Sequence, residues 1–355
     1  MKNQKIIIIA VIAIVAILGV LAYLNYYQDS NFNGGQITDM AGRTVDVPAD
    51  INKTYSSAGS VTIILYMLAP DKMIGWNSLN GTQNYMQAQY KNLPILGGGQ
   101  SQGNNANLEN IISNNPDVVF TGHSGGNDTI NRMQQKFGSI PVLDVEGDNN
   151  LTSLDSAIKF MGTVLHVQSQ SNDLISFNDK MLNQVKGVAD SIPDSEKKKV
   201  YYARGDDGLT TFAPGSPNVQ LITLCGGKNV VEAPVSNGGM GVSMESVLNW
   251  NPDVIITSSS QFYSSVYSNS AWQGINAVKN KQVYLTPQDP FNWFESPPGA
   301  NTIIGIPWTA KVLYPDKFSN IDLNSLTKEF YSKYYHYNLT DSDVSNIITS
   351  SGLKS

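Results

Sequence analysis

The sequence predicts an α/β protein: two Rossmann-like lobes with parallel central sheets, joined by a long rigid helix and preceded by an N-terminal transmembrane anchor or signal segment. Three observations predict it. "LENIISNNPDVVFTGH" (108–123) returns as "MESVLNWNPDVIITSS" (244–259) at an ungapped offset of 136 residues, which sets Glu109 on Glu245 and Asn115-Pro116-Asp117 on Asn251-Pro252-Asp253. Short apolar runs alternate with helix-period segments on both sides of a purely helical stretch, as parallel sheets with covering helices require. Nineteen consecutive uncharged residues, Ile6 to Leu24, open the chain after two lysines.

That apolar run is long enough to cross a hydrocarbon core of about 30 Å as a helix. It exceeds the roughly 7–15 apolar residues of a cleavable signal and no clear small-x-small site follows, so an uncleaved anchor is the expectation for residues 1–27. Lys2 and Lys5 then stay in the cytoplasm and everything after Tyr27 lies outside. A linker, 28–35, precedes a first lobe at 36–150. Connecting helices occupy 151–192, and a second lobe with C-terminal helices fills 193–355, a division consistent with 355 residues.

The first lobe opens on "QITDMAGRTVDVPADI", an alternating pattern about Ala41-Gly42 that reads as a hairpin. "SVTIILYMLAP", "LENIISNN" and "DTINRMQQKF" read as helices, and "DKMIGWN", "DVVFTG" and "IPVLDV" as strands. From 151 to 192 only helical spacing remains, with no Gly or Pro pair to act as a hinge. Alternation restarts at "KKVYYARG". Ser216 then caps a helix whose first position is Pro217 and whose stop is Gly226, and "KNVVEA", "DVIITSS" and "KQVYLTP" supply further strands.

Composition narrows the function. Net charge is −6 and the longest basic run is "KKK" at 197–199, so nothing marks a nucleic-acid surface. The single Cys225 excludes internal disulfides, Cys-ligated zinc and a lipid-modified cysteine beside the apolar run. Five N-x-[ST] sequons (Asn52, Asn80, Asn127, Asn150, Asn338) suit an outward surface and, with an uncleaved anchor, point to an archaeal cell surface. No G-x-S-x-G, Walker loop, H-E-x-x-H or Cys-x-x-Cys motif is present, and no two carboxylates pair for acid–base work, so no enzyme is expected.

The tandem "[LM]E…PDV" units, the connecting helices, "GSVTIILYMLAPDKMIGW" and the late "SPPGANTIIGIPWTAKVLYPDKF" together resemble the iron-chelate and cobalamin class of periplasmic binding proteins, the substrate receptors of ABC importers. The resemblance runs from Gln36 to about Phe318. It implies a ligand cleft between the lobes, small closure on a rigid connecting helix, and a permease with its ATPase as partners of a monomeric receptor. It also implies that Glu109 and Glu245 dock onto arginines of the two permease subunits. Carboxylates at related positions on pseudo-symmetric lobes make a two-point register for a symmetric partner, although a helix-first-turn Glu also complements the dipole.

In open α/β lobes ligands lie beyond the carboxyl ends of the strands. The loops expected there supply Ser60, Trp76, Tyr85 and His123 from the first lobe, and Tyr202, Arg204, Tyr263 and Trp293 from the second. Arg204 is expected either to grip an anionic group or to pair with Asp206 or Asp207. Trp293, between Phe291 and Phe294, is expected to stack on a flat chelate or to be core, and Trp76 and His123 carry the same ambiguity. Only three histidines exist (His123, His166, His336), too few for a naked-metal receptor, so the expected cargo is a ferric siderophore, haem or cobalamin type of chelate and no resident cofactor. The alternative is an oxyanion, molybdate or tungstate, on the backbone N–H groups of the Gly-, Ser- and Asn-rich loops. A non-transport surface protein is a further alternative.

Overall fold

The structure, a computed structural model, describes residues 32–79, 81–97, 106–122, 126–234 and 238–354. The apolar segment 6–24 and His123 lie outside them.

The predicted hairpin is present: β1 (Gly35–Thr38) pairs antiparallel with β2 (Thr44–Val47) around Gly42, whose φ of 77° the turn requires. In the first lobe β3 (Thr54–Ser56), β4 (Val118–Gly122) and β5 (Val142–Val145) form a parallel sheet in the order β3-β4-β5. The expected strand at "DKMIGW" is reduced to single bridges, Thr54 with Met73 and Trp76 with Ile95. The second lobe repeats the plan. Here β6 (Lys199–Ala203) lies between β8 (Lys228–Asn229) and β10 (Val254–Thr257), with β11 (Val283–Leu285) outermost and all pairings parallel, while β7 (Thr210–Thr211) pairs antiparallel with β9 (Met240–Gly241). The predicted cap at Ser216 accepts from the N–H of Asn218, and Gly226 ends that helix at φ 81°.

The repeated Asn-Pro-Asp has the same structural purpose in both lobes. Asn115 and Asn251 turn the chain out of their helices at φ 51° and 43°. The Asp117 carboxylate then accepts from the N–H groups of Asn52 and Lys53 at 2.7 and 2.8 Å, and the Asp253 carboxylate from that of Lys199 at 3.0 Å. Each aspartate fixes the start of the neighbouring strand, β3 or β6, and therefore the register on which the lobe is built.

Both faces of the sheets are buried, which explains strands that read as unbroken apolar runs. Alternate residues Val118, Phe120, Val200, Tyr202, Val254 and Ile256 point into one core that is continuous through both lobes. Their neighbours point into separate outer layers, Val119 with Ile111 and Ile130 in the first lobe, Tyr201 and Ile255 with Val247 and Trp272 in the second. The connecting segment is two helices, Leu154–Val164 and Gln168–Asp190, turning at His166 (φ 58°). The first contacts the 59–68 helix of lobe one and the second the 305–313 helix of lobe two, so the bridge is buried in the shared core.

The C-terminal helix Leu323–Tyr334 differs from the predicted division. It returns to the first lobe, where Phe330 meets Phe177 and the Tyr66 hydroxyl donates to the carbonyl of Tyr335 at 2.6 Å. The last helix, Asp341–Ser350, goes back to the second lobe, where the Trp308 indole donates to Ser351.

Candidate functional site

The lobes enclose a cavity of ≈ 220 Å³ at the carboxyl ends of their strands. One wall is the start of the helix Gly59–Leu68, which follows β3 directly, together with Trp76, Asn77, Ser78 and Leu79. The opposite wall is Ser258, just after β10, and the loop after β11, which contributes Gln288, Phe291, Ser296 and Pro297. None of the described lining residues is charged.

The helix start is the electropositive feature. Its N-cap is Ala58, which has no side-chain oxygen to accept from the first turn. Ser56 and Ser57 are used elsewhere, Ser56 bonding the carbonyl of Ala58 and Ser57 bonding Thr121. No side chain caps the first turn at the positive end of the dipole, where Gly59 lines this cavity while Ala58 and Ser60 line the neighbouring one. Gly59 keeps that wall open: a Cβ there would stand 3.4 Å from Pro297 and 3.7 Å from the Asn77 amide nitrogen.

The facing loop is held by buried polar bonds. Asn292 accepts from the N–H groups of Phe294 and Glu295 at 2.8 and 3.0 Å and donates to Thr286, while Asn301 donates to the carbonyls of Asn292 and Pro297. Gln288 donates to the carbonyl of Ser258 at 2.8 Å, joining this loop to the one after β10. Phe291 crosses the seam to pack 5.9 Å from Trp76 and 5.7 Å from Tyr66.

Of the residues expected in the cleft, Trp76 lines the cavity; it is 1% exposed and its indole donates to the carbonyl of Tyr90. The others among the described residues lie elsewhere. Arg204 pairs through Nε with Glu295 at 3.1 Å, not with Asp206 or Asp207, and lies over the ring of Phe212. Tyr202 is buried between Phe212 and Phe294 and donates to the same Glu295 at 2.8 Å. Burial and the Glu295 charge hold its phenol well above the usual tyrosine range. Trp293 is core, fully enclosed, with its indole donating to Tyr331.

Ser60 faces away from this cavity, into a separate one of ≈ 660 Å³ in the first lobe, where its hydroxyl donates to Asp148. Burial raises the Asp148 carboxyl against the lowering effect of that bond. Tyr85 packs against Tyr331 and Tyr337 on the outer seam, and the Tyr263 hydroxyl lies against Gly352 in the C-terminal turn. Gly59, Asn77, Ser258 and Ser296 line the cavity from loops that the sequence places at the cleft, although other residues of those loops were singled out. The one available signal was an alanine at a helix N-cap directly after two serines.

Glu109 and Glu245 are exposed in the first turns of the helices Ala106–Ser113 and Met244–Trp250. Ile111 and Val247 of these helices share the outer cores with Val119 and Ile255 of the strands that follow.

Comparison with known proteins agrees with this architecture. The periplasmic binding protein family model matches residues 54–290. The chain is 27% identical over 330 residues to the molybdate-binding protein MolA of Haemophilus influenzae, covering 84% of this chain and 90% of the relative. It is 25% identical to the ABC transporter substrate-binding lipoprotein YvrC of Bacillus subtilis, over 79% of this chain and 86% of the other. Among solved structures, an ABC transporter solute-binding protein from Sulfurospirillum deleyianum superposes with a TM-score of 0.80 at 30% identity, over 89% of this chain and 99% of that one. Two parallel-sheet lobes, a shared core and a cavity between the strand ends are thus joined to a match over most of the chain: this protein belongs to the periplasmic binding protein family, among the substrate-binding proteins of ABC importers.

Proposed function

We propose that the cargo of this receptor is a small oxyanion of the molybdate and tungstate class, held between the uncapped helix start at Gly59 and the Ser258 and Ser296 loops. The chain itself is a transport receptor, not an enzyme, and works outside the cytoplasm with a membrane permease and its ATPase. The observation that supports the cargo reading is a helix start without a capping side chain, whose Gly59 stands on the wall of a small uncharged cavity. N–H and hydroxyl donors desolvate an anion without a counter-charge and favour the ionised form. At ≈ 220 Å³ the space is below the roughly 300–1,000 Å³ of sites for drug-sized molecules, so a haem or cobalamin would need the lobes to part. The similarity to a protein named for binding molybdate supports the same choice. This reverses the order expected from sequence, in which a metal chelate came first.

In this reading Trp76, Gly59, Asn77, Ser258 and Ser296 contact the ligand, while Arg204, Tyr202 and Trp293 hold the wall behind it. Glu109 and Glu245 dock the permease, and the apolar segment 6–24 anchors the receptor to the outer face of the membrane. Because Trp76 lines the cavity, its fluorescence tests the cargo. Saturable quenching by molybdate or tungstate supports the reading, and a response confined to haem, a cobalamin or a ferric siderophore moves the cargo to the chelate class.

A further inference from the structure

We propose that Ile112 and Leu248 are a pair of apolar anchors that seat in equivalent pockets of the two permease subunits, one beside each docking glutamate. The inference rests on the reading of Glu109 and Glu245 as the docking face. Among the described residues, the large hydrophobic side chains exposed to solvent are Ile95, Ile112, Leu248 and Tyr267. A single exposed leucine needs no explanation. Here, though, Ile112 and Leu248 occupy the same position of the internal repeat, 136 residues apart, 37% and 43% exposed. Ile95 and Tyr267 lie outside the repeat.

The local geometry is the same in both lobes. The residues just before them, Ile111 and Val247, are 2% and 0% exposed and fill the outer cores, so the fold's apolar requirement at this turn is already met one position earlier. Ile112 and Leu248 lie three residues after Glu109 and Glu245, hence on the same helix face, one turn along. Leu248 rests one flank near Gly274, whose Cβ would stand 3.3 Å from its Cδ2, and leaves the rest open. Each lobe thus presents an acid and a branched aliphatic side by side.

A surface repeated by pseudo-symmetry fits a partner that repeats its own surface by two-fold rotation. A second copy of this chain is disfavoured, because pairing these faces would oppose glutamate to glutamate. The matching chemistry is a basic residue next to an apolar pocket, presented once by each of two like subunits. Carboxylates at the rim steer encounter and register, whereas desolvated aliphatic anchors slow dissociation.

The test is docking of the full chain to its permease–ATPase complex in lipid nanodiscs, measured by interferometry at low and high salt. Ile112→Ser and Leu248→Ser are each expected to weaken docking about fivefold or more, and the pair about 25-fold, mainly through faster dissociation and at both salt concentrations. The exchange Ile112→Leu with Leu248→Ile is expected to dock as the parent does. Melting curves exclude misfolding, since both side chains are exposed. If the serine variants dock unchanged while Glu109→Ala with Glu245→Ala loses docking, the apolar anchors are wrong and the glutamate face stands. If neither pair alters docking, the face itself is wrong and the inference falls with it.

Discussion

Asp289 of the second lobe accepts from the backbone N–H of Asn84 in the first at 3.2 Å, and the Thr82 hydroxyl donates to the same carboxylate oxygen. The residue lies between Gln288 and Pro290, both of which line the cavity, so this tie closes the rim. Tyr331 fixes the loop from behind by donating to the carbonyl of Asp289 at 2.5 Å. With one apolar core running through both lobes and the bridge between them, large hinge motion would expose that core. Release of ligand therefore depends on loosening the rim.

Replacing Asp289 with Ala is expected to raise the ligand dissociation rate about fivefold, the equivalent of roughly 1 kcal/mol for a half-exposed charged hydrogen bond. Stopped-flow fluorescence on loaded protein measures it. The melting temperature should move little, because the shared core is untouched.

Gly59→Ala separates binding from folding. The added methyl meets Pro297 and Asn77 at ordinary contact distances, 3.4 and 3.7 Å, so the backbone has no reason to shift. The substitution does add a methyl group on the cavity wall at the helix start. Affinity for molybdate should fall about tenfold, or about 1.4 kcal/mol, with thermal stability unchanged or slightly higher, since Ala is the better helix residue.

Arg204→Met should act on stability, not on the ligand. The Glu295 carboxylate is 2% exposed and would keep only the Tyr202 hydroxyl. The expected loss is about 2–3 kcal/mol, below the roughly 3–5 kcal/mol of a fully enclosed pair because the Arg204 side chain is 34% exposed. Adding Glu295→Gln should restore most of it. Urea denaturation reads both changes.

Acid should weaken the junction between the C-terminal segment and the first lobe. Burial between Tyr66 and Tyr90 holds the His336 imidazole below its ordinary range, against the raising effects of the Tyr66 and Met67 carbonyls and the Asp71 charge. The neutral ring is bonded to the Tyr66 carbonyl at 3.0 Å. Because the folded value lies below the unfolded one, this contribution is complete above about pH 6.5 and lost as pH falls below it. Melting temperatures from pH 7.5 to 5 should fall more steeply for the parent than for His336→Asn, which keeps the φ of 55° accessible.

The parts of the fold written in local pattern were legible. The alternation of apolar and helix-period runs marked strands and helices in both lobes, and the doubled Asn-Pro-Asp marked their repetition, each aspartate bonding backbone at the start of the neighbouring strand. The "DKMIGW" segment read as a strand from its apolar residues but makes only single bridges at the edge of its sheet. The Leu323–Tyr334 helix packs on the first lobe as well as on Trp293 of the second, which an amphipathic pattern does not show, since it says which face is apolar and not what covers it.

The site was less legible. The sequence offers Arg204 only the nearby Asp206 and Asp207 as partners, because Glu295 is distant in sequence and reaches it only through the loop after β11. For Trp293 the sequence leaves stacking and core both open, and Tyr331 with the shared core decides for core. The polar residues that line the cavity are mostly ordinary Asn and Ser of loops, set among Trp76, Leu79 and Phe291. What distinguishes them is a helix start without a capping side chain, a feature defined by an absence and visible only once the strand end and helix start are placed together.

The most direct test of the account is calorimetric titration of molybdate into the parent protein and into Gly59→Ala. The account predicts saturable binding at one anion per chain, reproduced with tungstate and weakened about tenfold by the methyl group. Binding of haem or a cobalamin with no heat from either oxyanion, or oxyanion binding that Gly59→Ala leaves unchanged, would contradict the cavity and its helix start as the site.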